Sequence, residues 1–272
     1  MLRIFLSFFL LIGFLFAEAQ LVYQLPGARA AGMGGAAAPV TDVWALHYNI
    51  GALAGVQETT VAASYQSRLN MPELSTAGIV FCVPLPVGVA GAGVSRFGFG
   101  PYSLSEVSLG FAHQIRLVSI GLQAGIVQAA TRGFGSRMVP LLSFGGTAEL
   151  IPKLRFGGFI YNITQSQLSP ETGEYIPTLL RAGLQWQPTV FVRLVAETEK
   201  DVDYPANFKA GLEYKLRNFL TLRTGFSTRP TSLHGGLGFL TGKLRIHYAM
   251  QHHRQLGLMH HTTFSLQLSK KE

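Results

Sequence analysis

Apolar and polar residues alternate with a period of two through most of this chain, and that pattern limits the folds open to it. Phe208, Ala210, Leu212, Tyr214 and Leu216 are interleaved with Lys209, Gly211, Glu213 and Lys215. Val190, Val192, Leu194 and Ala196 are interleaved with Phe191, Arg193, Val195 and Glu197. Leu244, Ile246, Tyr248 and Met250 are interleaved with Lys243, Arg245, His247 and Ala249. Successive side chains of a strand point to opposite faces, so these are strands with one apolar face. Soluble sandwiches show the same alternation, and strand length separates the two cases. The pattern predicts fourteen strands, near 57–68, 75–83, 86–98, 104–115, 117–130, 137–150, 153–163, 177–187, 189–200, 205–216, 219–228, 231–240, 242–253 and 257–268. Each is long enough for a tilted bilayer crossing, whereas soluble strands run nearer about 5–6 residues.

Composition agrees. The 272 residues are 48% hydrophobic and 13% charged, against about 25% charged in an average soluble domain. Such a chain is too apolar to be disordered. Beyond its first twenty residues it also lacks the run of about 20 apolar residues that a helix needs to span lipid. A barrel reconciles the two facts, because its backbone bonds close between strands and its apolar residues are spread at period two.

Turn lengths add an orientation. Connections after even-numbered strands are tight, as at Pro84-Leu85, Ile115-Arg116 and Gln187-Pro188. Those after odd-numbered strands are usually longer, as at 98–103, 131–136, 164–176 and 201–204. Short periplasmic turns and longer outer loops are the habit of outer-membrane barrels. Met1-Leu2-Arg3, the apolar run Ile4 to Phe16 and Ala17-Glu18-Ala19 predict a cleaved secretory signal. The expected organisation is a signal peptide over 1–19, an N-terminal plug segment over 20–56 and an outer-membrane β-barrel over 57–272. The fold class is all-β, a transmembrane antiparallel β-barrel of about 14 strands with a small plug, in the outer membrane of a Gram-negative bacterium.

Residues 27–55 break the alternation. Gly27 to Ala36 is rich in small residues, and Asp42 can cap a short helical turn carrying Trp44 and Leu46. Small residues let backbones pack closely, and Trp44, Leu46 and Tyr48 would be costly in water, which suits a plug. Those three and Asn49 are the candidate ligand-contacting residues. On the barrel's inner face the alternation places Arg193, Glu197, Lys209, Glu213, Lys215, Arg223, Lys243, Arg245 and His247. Mixed signs suit a paired network bracing a mostly closed interior better than an ion path.

Catalytic motifs are missing. Gly236 to Lys243 superficially resembles a phosphate loop, but its spacing is wrong and Leu244 stands where Ser or Thr is needed. There is no G-x-S-x-G elbow and no His, Ser and acid set, so neither enzyme activity nor a cofactor is expected. Cys82, the single cysteine, lies in the apolar run 79–83 and reads as a buried small hydrophobe. His252 and His260 are expected opposite each other across a hairpin turning near Gln255–Leu256. Two imidazoles fall short of a metal ligand set. The net charge of +8 is dispersed along strands rather than clustered, which excludes nucleic acid and points to anionic outer-membrane lipid.

Several segments carry a family resemblance. Gly27-Ala28-Arg29 with Met33-Gly34-Gly35-Ala36, then Asp42, Ala45-Leu46 and Asn49, resemble the opening of the PorV/PorQ family of Bacteroidota outer-membrane proteins, relatives of FadL-type transporters. Ile50-Gly51 stands where that family has Pro-Ala. Tyr161 to Ile163, Ile176 to Leu184, Ala210 to Tyr214, Leu222 to Gly225 and Leu256 to His260 resemble its later segments in the same order. The resemblance implies a plugged fourteen-stranded barrel in type IX protein secretion, an accessory or cargo shuttle whose partners are secretion components or cargo proteins. The alternative is a FadL-like channel for uptake of a hydrophobic ligand. An apolar cavity lined by residues such as Trp44 would favour uptake, and a filled, salt-bridged interior would favour the protein-binding role. The 164–176 loop is the longest and the expected partner contact.

Overall fold

The computed structural model describes residues 26–169, 174–253 and 257–270, so the predicted signal segment lies outside the described residues. Fourteen strands close into one antiparallel barrel. In chain order they are β1 (Glu58–Arg68), β2 (Met71–Leu85), β3 (Gly88–Phe97), β4 (Tyr102–Ile115), β5 (Val118–Thr131), β6 (Gly135–Ile151) and β7 (Leu154–Tyr161). A small hairpin, β8 (Gln167–Ser169) and β9 (Glu174–Tyr175), interrupts the series. The barrel continues with β10 (Leu179–Trp186), β11 (Val192–Asp201), β12 (Asn207–Arg217), β13 (Leu220–Thr228), β14 (Thr231–Thr241), β15 (Leu244–His253) and β16 (Gly257–Lys270). β7 pairs with β10 across the hairpin, and β1 closes on β16 with Ala63 opposite Phe264. The mouth holding the start of β1 and the end of β16 is the near mouth; the opposite one is the far mouth.

The expected strands match these spans to within a few residues, with two differences. β2 starts at Met71 rather than near 75, because Leu69 and Asn70 both take positive φ (55° and 52°) and close the hairpin at once. That is the twist-matched two-residue turn, and the register shift between Gln66 and Arg68 absorbs the extra residues. The far-mouth connections are also not uniformly long. The turns at 69–70 and 229–230 have two residues, like five of the six near-mouth turns, whereas the near-mouth connection expected to be tight at Gln187-Pro188 runs over 187–191. Among the described connections only that at 162–178 is extended.

The wall has the polarity of a membrane barrel. Outward residues such as Ile79, Leu109, Leu122, Leu184, Phe208 and Phe264 are exposed, whereas Ser64, Gln66, Ser108, Gln123, Ser143 and Thr263 are buried inside. Two hollows of about 530 and 760 Å³ lie on the outer face, where Gly146, Gly158, Ala182, Ala196 and Ala210 sit among larger apolar residues. Among the described residues no helix is long and apolar enough to cross a membrane.

Residues 26–56 fill the lumen. They form α1 (Ala28–Gly32), α2 (Ala45–Tyr48) and a 3-10 turn at Ile50–Gly55. Asp42 is not the cap of α2 that its sequence position suggests, since Trp44 holds the N-cap position without a side-chain cap bond. It shapes the preceding turn instead, its Oδ1 accepting from the Trp44 N–H at 3.1 Å and its carbonyl from the Ala45 N–H at 3.1 Å. α1 packs on β14 to β16, and the 3-10 turn packs on β4 to β6. The close approach depends on inward glycines. A Cβ on Gly211 would lie 2.5 Å from Met33 Cβ, one on Gly121 would lie 2.9 Å from the Ile50 carbonyl carbon, and one on Gly225 would overlap the Gly34 nitrogen.

Gly225→Ala is therefore expected to expel the plug at a cost of about 1–3 kcal/mol from overpacking. Gly235→Ala, where an added Cβ meets nothing within 4 Å, should have no effect. Limited proteolysis of the plug, read beside barrel mobility on unheated detergent gels, checks both outcomes.

Candidate functional site

The lumen and its plug form the candidate site, and the wall supplies the plug's hydrogen bonds. At the start of α1 the Gly27 N–H donates to Ser64 Oγ at 3.1 Å and the Ala28 N–H to Thr263 Oγ1 at 2.9 Å. Further on, Glu197 Oε2 accepts from the Ala37 and Ala38 N–H groups at 2.8 and 2.7 Å. Asn49 fixes the next turn. Its Nδ2 donates to the Ala38 carbonyl at 2.6 Å and the Gly146 carbonyl at 3.0 Å, while its Oδ1 accepts from the Gly51 N–H at 3.0 Å. Ser119 Oγ donates to the Gly51 carbonyl at 2.7 Å. Buried backbone groups need such partners, which explains why polar side chains of the wall point at this segment.

Charges form two groups. In the first, Glu213 accepts from Arg29 at 2.8 and 2.9 Å, from Arg223 at 2.7 Å and from Arg193. Arg29 also pairs with Asp42 at 3.0 Å. Burial alone would lift the Asp42 carboxyl, but the Arg29 guanidinium and the Trp44 N–H outweigh it and hold the group below its ordinary value. A depressed carboxyl stabilises the fold above its ordinary pKa, and that contribution is lost as pH falls through the lowered one. In the second group Glu199 bridges Arg181 at 2.6 Å and Lys209 at 2.9 Å, and Lys209 also stands 3.5 Å from Glu197. Arg181 donates to the Tyr48 carbonyl at 3.2 Å, and its guanidinium lies over the Tyr48 and Phe159 rings at 5.8 and 5.7 Å.

The sequence-derived candidates are distributed as follows. Arg193, Glu197, Lys209, Glu213 and Arg223 all face the lumen within these groups, and His247 Nδ1 stands 3.3 Å from Arg223. Lys215 lies on the same face nearer the mouth and is exposed. Lys243 stands apart, because it occupies the turn before β15, where strand alternation does not apply, and it is exposed. Arg245 reaches only Glu58, at 3.7 Å, with 48% of its side chain exposed. Trp44, Leu46, Tyr48 and Asn49 are all buried, and the space beside Trp44 and Tyr48 is a cavity of only about 10 Å³, roughly one water. His252 and His260 are not opposite each other. β15 ends at His253 and pairs it with Gly257, so His252 faces Leu258 and His260 faces Met250, and the register is offset by two from that expected. Among the described residues no group of three metal-ligating side chains is present.

Arg29, Arg181, Glu199 and Glu106 also belong to the site, although the sequence did not single them out. Arg181 and Glu199 follow the same alternation as their neighbours and could have been read from it. Glu106 is 2% exposed and accepts from Tyr161 Oη at 2.9 Å and Gln123 Nε2 at 3.3 Å. One apolar cluster continues from the plug toward the far mouth: Trp44, Leu46 and Tyr48 join Leu104, Val127, Leu141, Phe159 and Leu179 of the wall, then Leu168 and Ile176 of the 162–178 loop.

Comparison with known proteins shows the fold. No family model matches the chain, and no curated protein matches it. Among solved structures it is similar to the Ralstonia pickettii toluene transporter TbuX (14% identity, TM-score 0.67, covering 91% of this chain and 100% of that one). It is also similar to the Pseudomonas putida toluene transporter TodX (14%, 0.62, 88% and 96%). The Acinetobacter baumannii outer membrane protein Omp33 matches at 5% identity and a TM-score of 0.52, covering 78% of this chain and 98% of that one.

Arg29→Met and Glu213→Gln should be coupled by about 1.5–3 kcal/mol in a double-mutant cycle, measured by denaturant unfolding in detergent. Glu213→Gln alone should cost more, about 3–5 kcal/mol, since it leaves several buried guanidiniums without their shared carboxylate. The chain is an outer-membrane β-barrel of a Gram-negative bacterium, with residues 26–56 folded into the lumen.

Proposed function

We propose that this barrel admits hydrophobic small molecules across the outer membrane, as a FadL-like channel. The continuous apolar cluster from the far-mouth loop to α2 carries this reading. An apolar solute gains by leaving water for such a surface, and the polar groups interleaved with it, Glu106, Gln123 and Tyr161 Oη, are bonded to one another. The far mouth, which carries the 162–178 loop, then faces outward, and the near mouth, with two-residue turns at five of its six connections, faces the periplasm. Similarity in fold to two toluene transporters supports the same reading.

In this conformation the way is closed, since the plug fills the lumen and the residues of the cluster are buried. Passage therefore requires the plug to shift. The salt-bridged filling at plug level is the feature expected of a protein-binding barrel. It surrounds the plug and reaches the apolar cluster at one point, where the guanidinium of Arg181, paired with Glu199, lies over the Phe159 ring. The secretion role implied by the sequence resemblance has no support in the lumen or in the matched structures.

Trp44 and Trp186 are the two tryptophans of the chain, so Trp186→Phe leaves an indole on the plug as the only reporter. Toluene added to the purified variant should quench it saturably. Uptake of labelled toluene by intact cells of a Gram-negative host should rise on expression of the barrel. Leu141→Lys should cut that rise about tenfold, since charge in an apolar site is expensive. Equal uptake with and without the barrel would refute the reading.

A further inference from the structure

Four guanidiniums converge on the near-mouth side of the plug: Arg29 of α1, Arg155 of β7, Arg193 of β11 and Arg223 of β13. Two carboxylates stand among them, and Glu213 is shared by Arg29, Arg193 and Arg223. Asp42 pairs with Arg29. Arg155 has no ion pair among the described residues, and its Nη1 donates to Thr41 Oγ1 of the plug at 2.8 Å. Glu149 is opposite Arg155 in the β6–β7 register, yet it is exposed and forms no ion pair with it. Arg193 Nε is buried without a partner, while its Nη2 donates to Gln187 Oε1 at 3.3 Å. His247 Nδ1 faces Arg223 Nη1 as an acceptor and brings no negative charge.

The cluster is therefore short of negative charge, and it is open. The Arg193 side chain is 23% exposed and Arg155 is half-buried. Lys215 and Arg245 add cations on the same inner face toward the mouth. A partly buried excess of cations is costly unless compensated, and a guanidinium presents a planar fork that suits an oxyanion.

We propose that this cluster is a binding site for an oxyanion, a carboxylate or phosphate group, entering from the near mouth and seated between Arg155 and Arg193 against Thr41. Bound there, the anion completes the charge of the cluster and joins the wall to the plug edge. Its source is either a free periplasmic anion or the charged end of an amphiphile. The site goes beyond the uptake reading and stands or falls without it, because it is tested by binding alone.

The experiment is calorimetric titration of the purified barrel in neutral detergent, with inorganic phosphate in one arm and dodecanoate in the other. Saturable binding is expected, at least about tenfold weaker in Arg155→Gln and Arg193→Gln, the scale seen when a desolvated charge contact is cut. Lys243→Gln, which removes the same charge from an exposed turn, should bind as the parent does. Binding in both arms identifies a free-anion site, and binding of dodecanoate alone identifies a headgroup site; either supports the proposal. No saturable binding by the unaltered protein up to about 10 mM (a Kd weaker than the millimolar range) overturns it. Equal loss in Lys243→Gln and Arg155→Gln overturns it as well. Arg155→Lys, which keeps the charge but loses the fork, provides a second reading should Arg155→Gln fail to fold; affinity equal to the parent's would exclude the guanidinium pocket.

Discussion

A chain segment enclosed by a barrel cannot take its backbone hydrogen bonds from water, so the wall must provide them at contact distance. That requirement organises this molecule. Inward glycines such as Gly211 and Gly225 bring plug and wall backbones together, and Ser64, Thr263, Glu197 and Ser119 then meet the plug's N–H and C=O groups. The polar inner face of this barrel therefore complements a polypeptide at plug level rather than lining an aqueous pore. The abundance of glycine, 31 residues in 272, follows in part from the same need.

The charges divide by what they hold. Arg181, Glu199 and Lys209 all belong to the wall and pair with one another, so they brace β10 to β12 wherever the plug lies. Glu213 instead receives Arg29 from the plug between two wall arginines. Glu197 receives the Ala37 and Ala38 N–H groups from the plug. Movement of the plug would strip partners from these two carboxylates and take the Tyr48 carbonyl and ring from Arg181, while leaving the ion pairs among Arg181, Glu199 and Lys209 intact. Closure is thus held by a few specific polar contacts laid over a broad apolar seat.

The strands were legible because each carries its own alternation, which fixes both its existence and the face of each residue. That is why Arg193, Glu197, Lys209, Glu213 and Arg223 could be placed inward from sequence. The start of β2 was not legible, since Pro72 and Glu73 look like loop residues and only the positive φ of Leu69 and Asn70 shows that the hairpin has already closed. Lys243 fits the alternation on paper but sits in a turn. The His252–His260 pairing required the turn's exact register, which periodicity does not contain. Asn49 was visible as a marked position, but its bonds to Ala38 and Gly146 depend on a distant strand. Arg29 was part of a small-residue stretch, and its partner Glu213 lies 184 residues away.

With the far mouth outward, as the proposed uptake role has it, the tight connections at 69–70 and 229–230 have a consequence at the cell surface. With so little chain standing above the lipid there, antibodies, bacteriophage and external proteases would find chiefly the 162–178 loop to grip. That loop also tucks Leu168 and Ile176 into the lumen. A segment visible from outside is then anchored in the interior through these two side chains, so an agent that seizes it would pull on the apolar cluster and not merely decorate the surface.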